Sequence, residues 1–231
     1  MSEFINTEDF AKQCDATDAL ASFRNEFAFP QHHNENVVYF TGNSLGLLPH
    51  AARTAVEQEF NDWQTYGVEG HFLAASPWYS YHKQFAPALA SLTGALPSEV
   101  VAMNSLTVNV HLMMSSFYQP TKERNIILLL GQEFPSDRYA AQSQVQAHGY
   151  SHNDCIVELM PRDGEHTLRT DDICATIERL GNRLALVHLS AVHYYTGQYY
   201  DIPAITTAAH ATGAYIGWDL AHAIGNVPLH L

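Results

Sequence analysis

The residues with the most chemistry to offer sit at the ends of short apolar runs. Tyr215-Ile216-Gly217-Trp218 is followed by Asp219-Leu220-Ala221-His222. A carboxylate emerging from an apolar strand is costly unless a cation or hydrogen-bond donors meet it. Two readings stand side by side: a structural Asp219–His222 pair, and a ligand cation held by Asp219. The run Leu184–Leu189 ends in Ser190, which can donate to a ligand or satisfy a nearby backbone group. After Ile126–Leu130 comes Phe134-Pro135-Ser136-Asp137. Phe134 suits stacking on a planar ring; equally it suits a core, with Ser136 or Asp137 as a helix cap. After Val100–Met103 comes Asn104-Ser105-Leu106-Thr107. Backbone N–H groups at a helix start suit an anion, while Ser105 or Thr107 also suits a plain N-cap.

Other constellations are missing. No G-x-G-x-x-G, Walker A, H-E-x-x-H or G-x-S-x-G sequence occurs. Of the fourteen histidines, His32-His33 lies in a polar loop, and Gly149 argues against a helix joining His148 and His152. His188 and His193, which flank Ser190, draw more attention than the rest. No metal site is expected.

The elements that must position these residues follow from periodicity. Helical patterns cover roughly 7–13 and 16–27. The tight turn Thr41-Gly42-Asn43-Ser44-Leu45-Gly46 follows the apolar run Val37–Phe40. Pro49 opens a helix to Tyr66, stopped by Gly67, and Ser76-Pro77 opens another that ends at Gly94 with a kink at Pro87. Beyond residue 100, strand candidates Val100–Met103, Ile126–Leu130, Ile156–Met160, Leu184–Leu189 and Tyr215–Trp218 alternate with helix candidates near 107–118, 136–148, 170–180 and 203–212. Apolar strands without alternation are those buried on both faces of a parallel sheet. Repeated βα units predict an α/β layer with a mostly parallel sheet and helices on both faces. Such sheets bind ligands beyond the carboxyl ends of their strands.

Composition narrows the function. With 11 Lys+Arg against 24 Asp+Glu, the formal charge is −13, which argues against nucleic acid and an anionic membrane surface as partners. Charged residues make up only 15% of the 231, so part of the surface is expected to be covered. Cys14, Cys155 and Cys174 are scattered, which predicts a reducing compartment. No signal peptide or membrane-length apolar run is visible, and a cytoplasmic protein is expected.

In order, TGNSLGLLPH, EGHF, MNSLTVNVHL, EFPSDRYA and GWDLAHAIGNVPLHL resemble the kynureninase family, pyridoxal-phosphate (PLP) enzymes of the aspartate-aminotransferase fold type, from about residue 37 onward. The resemblance implies PLP fold type I. An N-terminal segment, 1–75, would serve the small domain and substrate side, and 76–231 an incomplete PLP-binding large domain. It also implies cofactor contacts at Leu106, Thr107, Phe134, Pro135, Ser136, Asp137, Ser190, Asp219 and His222, with Asp219 at the pyridine nitrogen. Ser44 and His71 would approach the substrate. The implied reaction is hydrolysis of L-kynurenine, or its 3-hydroxy form, to anthranilate or 3-hydroxyanthranilate and L-alanine. Its place would be tryptophan degradation and NAD biosynthesis, in a homodimer.

The pattern departs from the family in one respect. The Schiff-base lysine lies some two dozen residues beyond the WDLAH aspartate in the family, whereas twelve residues follow Asp219 here and the only lysines are Lys12, Lys83 and Lys122. The resemblance therefore puts that lysine beyond Leu231, and no catalytic residue is expected within the 231. The chain is expected to be an N-terminal part of a kynureninase, inactive alone. Another PLP enzyme of the same fold, such as a cysteine desulfurase, and a non-catalytic ligand-binding remnant are the competing readings.

Overall fold

The computed structural model describes residues 4–231; the first three residues of the expected 1–75 segment lie outside it. The chain divides into two compact units, one ending at Tyr81 and the other beginning at His82.

In the first unit, α1 (Glu8–Thr17) starts at Thr7, whose hydroxyl accepts from the Phe10 N–H. Two short antiparallel pairs follow: β1 (Phe27–Ala28) with β4 (Leu48–Pro49), and β2 (Gln31–His32) with β3 (Glu35–Asn36). The helix α2 (His50–Tyr66) stops at Gly67, and α3 (Gly70–Leu73) comes next. Gly70 is buried beneath the Trp78 indole, where a Cβ would come within 2.6 Å of the ring. Trp78 is anchored by donating its indole N–H to Glu59 at 2.7 Å.

Two predicted helices are corrected here. The 16–27 helix is absent: after α1 the Asp18 carboxylate accepts the Leu20 N–H at 2.8 Å, a local bond that competes with helix, and only a 3-10 segment, Ala21–Glu26, follows. The single helix from 76 to 94 is a 3-10 segment, Trp78–Phe85, and then α4 (Ala86–Thr93). Pro87 falls in the first turn of α4, where a missing N–H costs no bond, so it begins a helix and kinks none.

The second unit is an α/β layer. After α4 come α5 (Leu106–Phe117), β5 (Ile126–Leu130), α6 (Pro135–Ala147), α7 (His152–Cys155), β6 (Ile156–Leu159), α8 (Thr170–Leu180), β7 (Leu184–Ser190), α9 (Ile202–Ala211) and β8 (Tyr215–Asp219). The four strands form one parallel sheet in the order β6-β5-β7-β8. All five residues of β5 are buried because alternate side chains feed two cores. Ile126, Leu128 and Leu130 pack with Ile173, Ile177 and Ile205 of α8 and α9. Ile127 and Leu129 pack with Val110, Met114, Ala141 and Val145 of α5 and α6. Arg124 clamps the far edge, donating to the carbonyls of Leu184 at 2.8 Å and Thr212 at 3.0 Å.

The predicted strand Val100–Met103 is not a strand. Its backbone joins neither edge of the sheet, β6 nor β8, and Val101 and Met103 stay exposed. At the opposite end of β5 the backbones of β5 and β6 converge. Gly131 donates to the Leu159 carbonyl at 2.6 Å, and a Cβ on it would come within 2.5 Å of that oxygen.

Backbone cannot yield as a side chain can. Gly131→Ala is therefore expected to destabilise the second unit by about 1–3 kcal/mol, from forced overpacking. Urea unfolding followed by circular dichroism measures this; an unchanged midpoint would contradict the close approach.

Candidate functional site

A parallel sheet delivers its strand ends to one side, and the candidate residues arrive there together. Ser190 closes β7 and Asp219 closes β8, and they are register partners; the Ala191 N–H donates to the Asp219 carbonyl at 2.8 Å. Asp137 reaches the same place from the first turn of α6, which Pro135 opens at a position where proline's missing N–H is no loss. Phe134, immediately before α6, is 44% exposed, so the reading of it as a core residue is set aside.

The centre of the site is a buried carboxyl pair. Asp137 is 1% exposed and Asp219 6%, and their side chains are within hydrogen-bonding reach of each other. Asp219 also accepts the Ala221 N–H at 2.7 Å. Asp137 collects two further partners, the Ser136 hydroxyl at 3.2 Å and Nε2 of His188 at 3.1 Å. Burial pushes the Asp219 carboxyl up to about 6, helped by the neighbouring Asp137 and opposed by the Ala221 N–H and His188. Burial acts on Asp137 in the same sense, yet its hydrogen bonds with His188, Asp219 and Ser136 win, and it lies below the ordinary range. One member of the pair thus stands as the anion and the other holds a proton readily.

Around the pair the other candidates take distinct places. Leu106 begins α5; Ser105 occupies the cap position, but its side chain makes no capping bond, so it does not fill the simple N-cap role. Leu106 and Asp219 line one cavity of about 600 Å³, with Asn109, Met113, His188 and Trp218 among its other walls. Thr107 is exposed on the first turn of the same helix. The Tyr194 ring lies edge-on to Phe134, centroids 5.3 Å apart, and 6.5 Å from the half-buried His222 ring.

Leu231, the residue beyond which the lysine is expected, is not one of those gathered at the pair. It is exposed, and its N–H donates to the Thr93 carbonyl at the end of α4 at 3.0 Å.

Ser44 and His71 belong to the first unit. Ser44 is exposed in a turn closed by its N–H to the Thr41 carbonyl at 3.0 Å. His71 is exposed, with Nδ1 2.8 Å from the Val68 carbonyl and its ring edge-on to Trp78.

Residue types alone missed Glu133. It is 4% exposed, and it accepts the Ser190 hydroxyl at 2.6 Å, the Ser190 N–H at 3.2 Å and the Phe134 N–H at 3.0 Å. The available signal was position: a carboxylate one residue before a strand-end aromatic. Tyr194 was also missed, and nothing in its spacing marks it. His188 drew notice only as a neighbour of Ser190, although a polar residue in the middle of an apolar strand demands a partner.

The class-V aminotransferase family profile matches residues 38–231. Among curated proteins, the chain is 53% identical to the kynureninase of Flavobacterium psychrophilum over 228 residues, 99% of this chain and 54% of that one. It is 52% identical to the kynureninase of Myxococcus xanthus and 45% identical to that of Nematostella vectensis. The chain spans about half the length of these relatives. Among solved structures, the Escherichia coli cysteine desulfurase CsdA superposes with a TM-score of 0.69 at 19% identity, over 93% of this chain and 51% of that one. A C-DES mutant with glycine covalently linked to its PLP cofactor gives 0.68 at 20%, over 87% and 52%. At these identities the structures share the fold with this chain.

The carboxyl pair has a signature in stability. An unfolded aspartate titrates near 3.8, so between about pH 4 and 6 the folded chain holds an extra proton on Asp219. Stability contributed by that proton falls as pH rises through this window and levels off above it. Asp137 acts in the opposite sense, its contribution being lost only in more acid solution. Asp219→Asn should flatten the slope between pH 4 and 6 and be more stable than wild type at pH 7 by about 1–3 kcal/mol. Denaturant titrations from pH 4 to 8 check this; an unaltered slope would contradict the assignment.

Proposed function

Because the chain belongs to the class-V aminotransferase family, we propose that it is the N-terminal part of a kynureninase and builds one side of its PLP site. The observation that carries this reading is the buried pair at the strand ends, where Asp219 is met by the Ala221 N–H and by Asp137, neither of them a cation. A protonated pyridine nitrogen fits that place. A phosphate monoester fits the first turn of α5, where the Ser105 side chain leaves the N–H groups uncapped in the cavity that Asp219 shares.

When bound, PLP supplies an electron sink for carbanion chemistry next to the substrate's amino group. Asp219, the carboxyl of the pair that binds a proton more readily, would share that proton with the ring nitrogen in a dry setting. Phe134 is exposed where it can cover a ring face, with Tyr194 bracing its edge. Leu106 and Thr107 offer helix-start amides to the phosphate. Ser190, its hydroxyl hydrogen committed to Glu133, presents lone pairs. Pro135 and Ser136 set the direction of Asp137, and His222 lines the aromatic side with Tyr194. Ser44 and His71 are the residues that approach the substrate. The substrate is L-kynurenine or 3-hydroxykynurenine, and the products are the anthranilate and L-alanine, in tryptophan catabolism leading to NAD. The working protein is a cytoplasmic homodimer.

Cysteine desulfurization is the weaker reading. It requires a reactive thiolate, but Cys155 is buried and Cys174 half-buried, and burial raises both thiols above their ordinary value. Cys14 is exposed on α1.

None of Lys12, Lys83 and Lys122 follows a sheet strand at this edge, so the 231-residue chain alone is expected to bind PLP without covalent attachment and to turn over no kynurenine. Trp218, adjacent to Asp219, reports binding through fluorescence quenching. Asp219→Ala should weaken PLP about ten- to a hundredfold, the loss of one charge-assisted hydrogen bond. Joining the chain to the C-terminal half of the Flavobacterium psychrophilum kynureninase should yield kynurenine hydrolysis and no cysteine desulfurization. Quenching that is absent, or a chimera that prefers cysteine, overturns the proposal.

A further inference from the structure

His188 breaks the pattern of its strand. Val187 and Leu189 face the core under α8 and α9, and Ala185 and Leu186 face the core under α5 and α6. His188 occupies a buried position, 7% exposed, that alternation assigns to an apolar residue. A buried imidazole needs partners. Nε2 lies 3.1 Å from Oδ2 of Asp137. The opposite edge of the ring faces Gly217 of β8, where even a Cβ would sit 3.5 Å from Nδ1. The imidazole therefore presents Nε2 to Asp137 and to neither Ser190 nor Glu133, which bond to each other.

The donors around the carboxyl pair are unevenly divided. Asp137 takes the Ser136 hydroxyl and the His188 imidazole; Asp219 takes one backbone N–H, from Ala221. Two carboxyls in contact do not both ionise cheaply, so a proton shared between them goes to the one with fewer donors. Without His188 the two would differ little. We propose that His188 is a positioning residue for Asp219: by donating from Nε2 to Asp137 it makes Asp137 the standing anion of the pair and leaves the exchangeable proton on Asp219. This deepens the PLP reading and rests on it only for its purpose, which is to keep the proton on the carboxyl that meets the ring nitrogen. The depressed titration of Asp137 and the raised one of Asp219 agree with the division. Other titratable groups near the pair are few. The wall contributed by α5 (Leu106, Asn109, Val110, Met113) carries none, Tyr215 lies at the start of β8, and His222 is on the segment after it.

The test needs no ligand. In ligand-free chain labelled with ¹³C at the aspartate carboxyls, Asp219 should titrate near pH 6 while Asp137 stays ionised down to acid pH. His188→Gln keeps a donor and should preserve both curves. His188→Leu removes it and should raise Asp137 until the two curves lie within about one pH unit of each other, less than a tenfold difference in proton affinity. Curves unmoved in His188→Leu, or displaced equally in His188→Gln, overturn the proposal. A measurement on the wild-type chain is immune to misfolding of either variant: ¹⁵N shifts should place a proton on His188 Nε2, and an unprotonated Nε2 overturns the proposal. Pyridoxine 5′-phosphate, which cannot form a Schiff base, then probes the PLP reading separately. Its failure to bind wild type would overturn that reading and leave the role of His188 standing.

Discussion

Two carboxyl groups touching inside a protein are expensive, and the strand-end edge of this sheet is organised around that expense. Asp137 and Asp219 come from different elements, the start of α6 and the end of β8, and meet where neither is solvated. Coulomb repulsion in a poorly polarisable setting would drive two carboxylates apart or protonate one of them. Donors from Ser136, His188 and Ala221 hold them as an unequal couple instead. The parallel layer is what allows this: it brings strand ends and helix starts, with their aligned N–H groups, to one edge.

Much of this edge was legible in the sequence because its signals are local. The run Ile126–Leu130 reads as doubly buried and is so, since alternate residues enter separate cores. Asp219 stood out because a charge at the end of an apolar run has few cheap explanations. The failures share a cause as well. Val100–Met103 is as apolar as a strand, yet a strand exists only when a neighbour accepts its ladder, and that is a long-range fact. The interruption at Asp18 turns on one side-chain bond competing with helix. Glu133 and His188 owe their importance to partners 57 and 51 residues away, respectively. Composition and period carry no trace of such pairings.

Kinship sharpens the chemistry beyond the fold. Identity near one half with kynureninases extends over nearly the whole chain. Likeness to the solved structures, at about one fifth identity, shows how far the same layer carries different side chains. The layer delivers a set of strand ends; the residues placed there decide what can be held.

Glu133 has a mechanical consequence. A single carboxylate grips the Phe134 amide on one side and both polar groups of Ser190 on the other. Glu133 therefore ties the segment after β5 to the end of β7. Shortening this one side chain would leave the Phe134 amide and the Ser190 hydroxyl without their partner together.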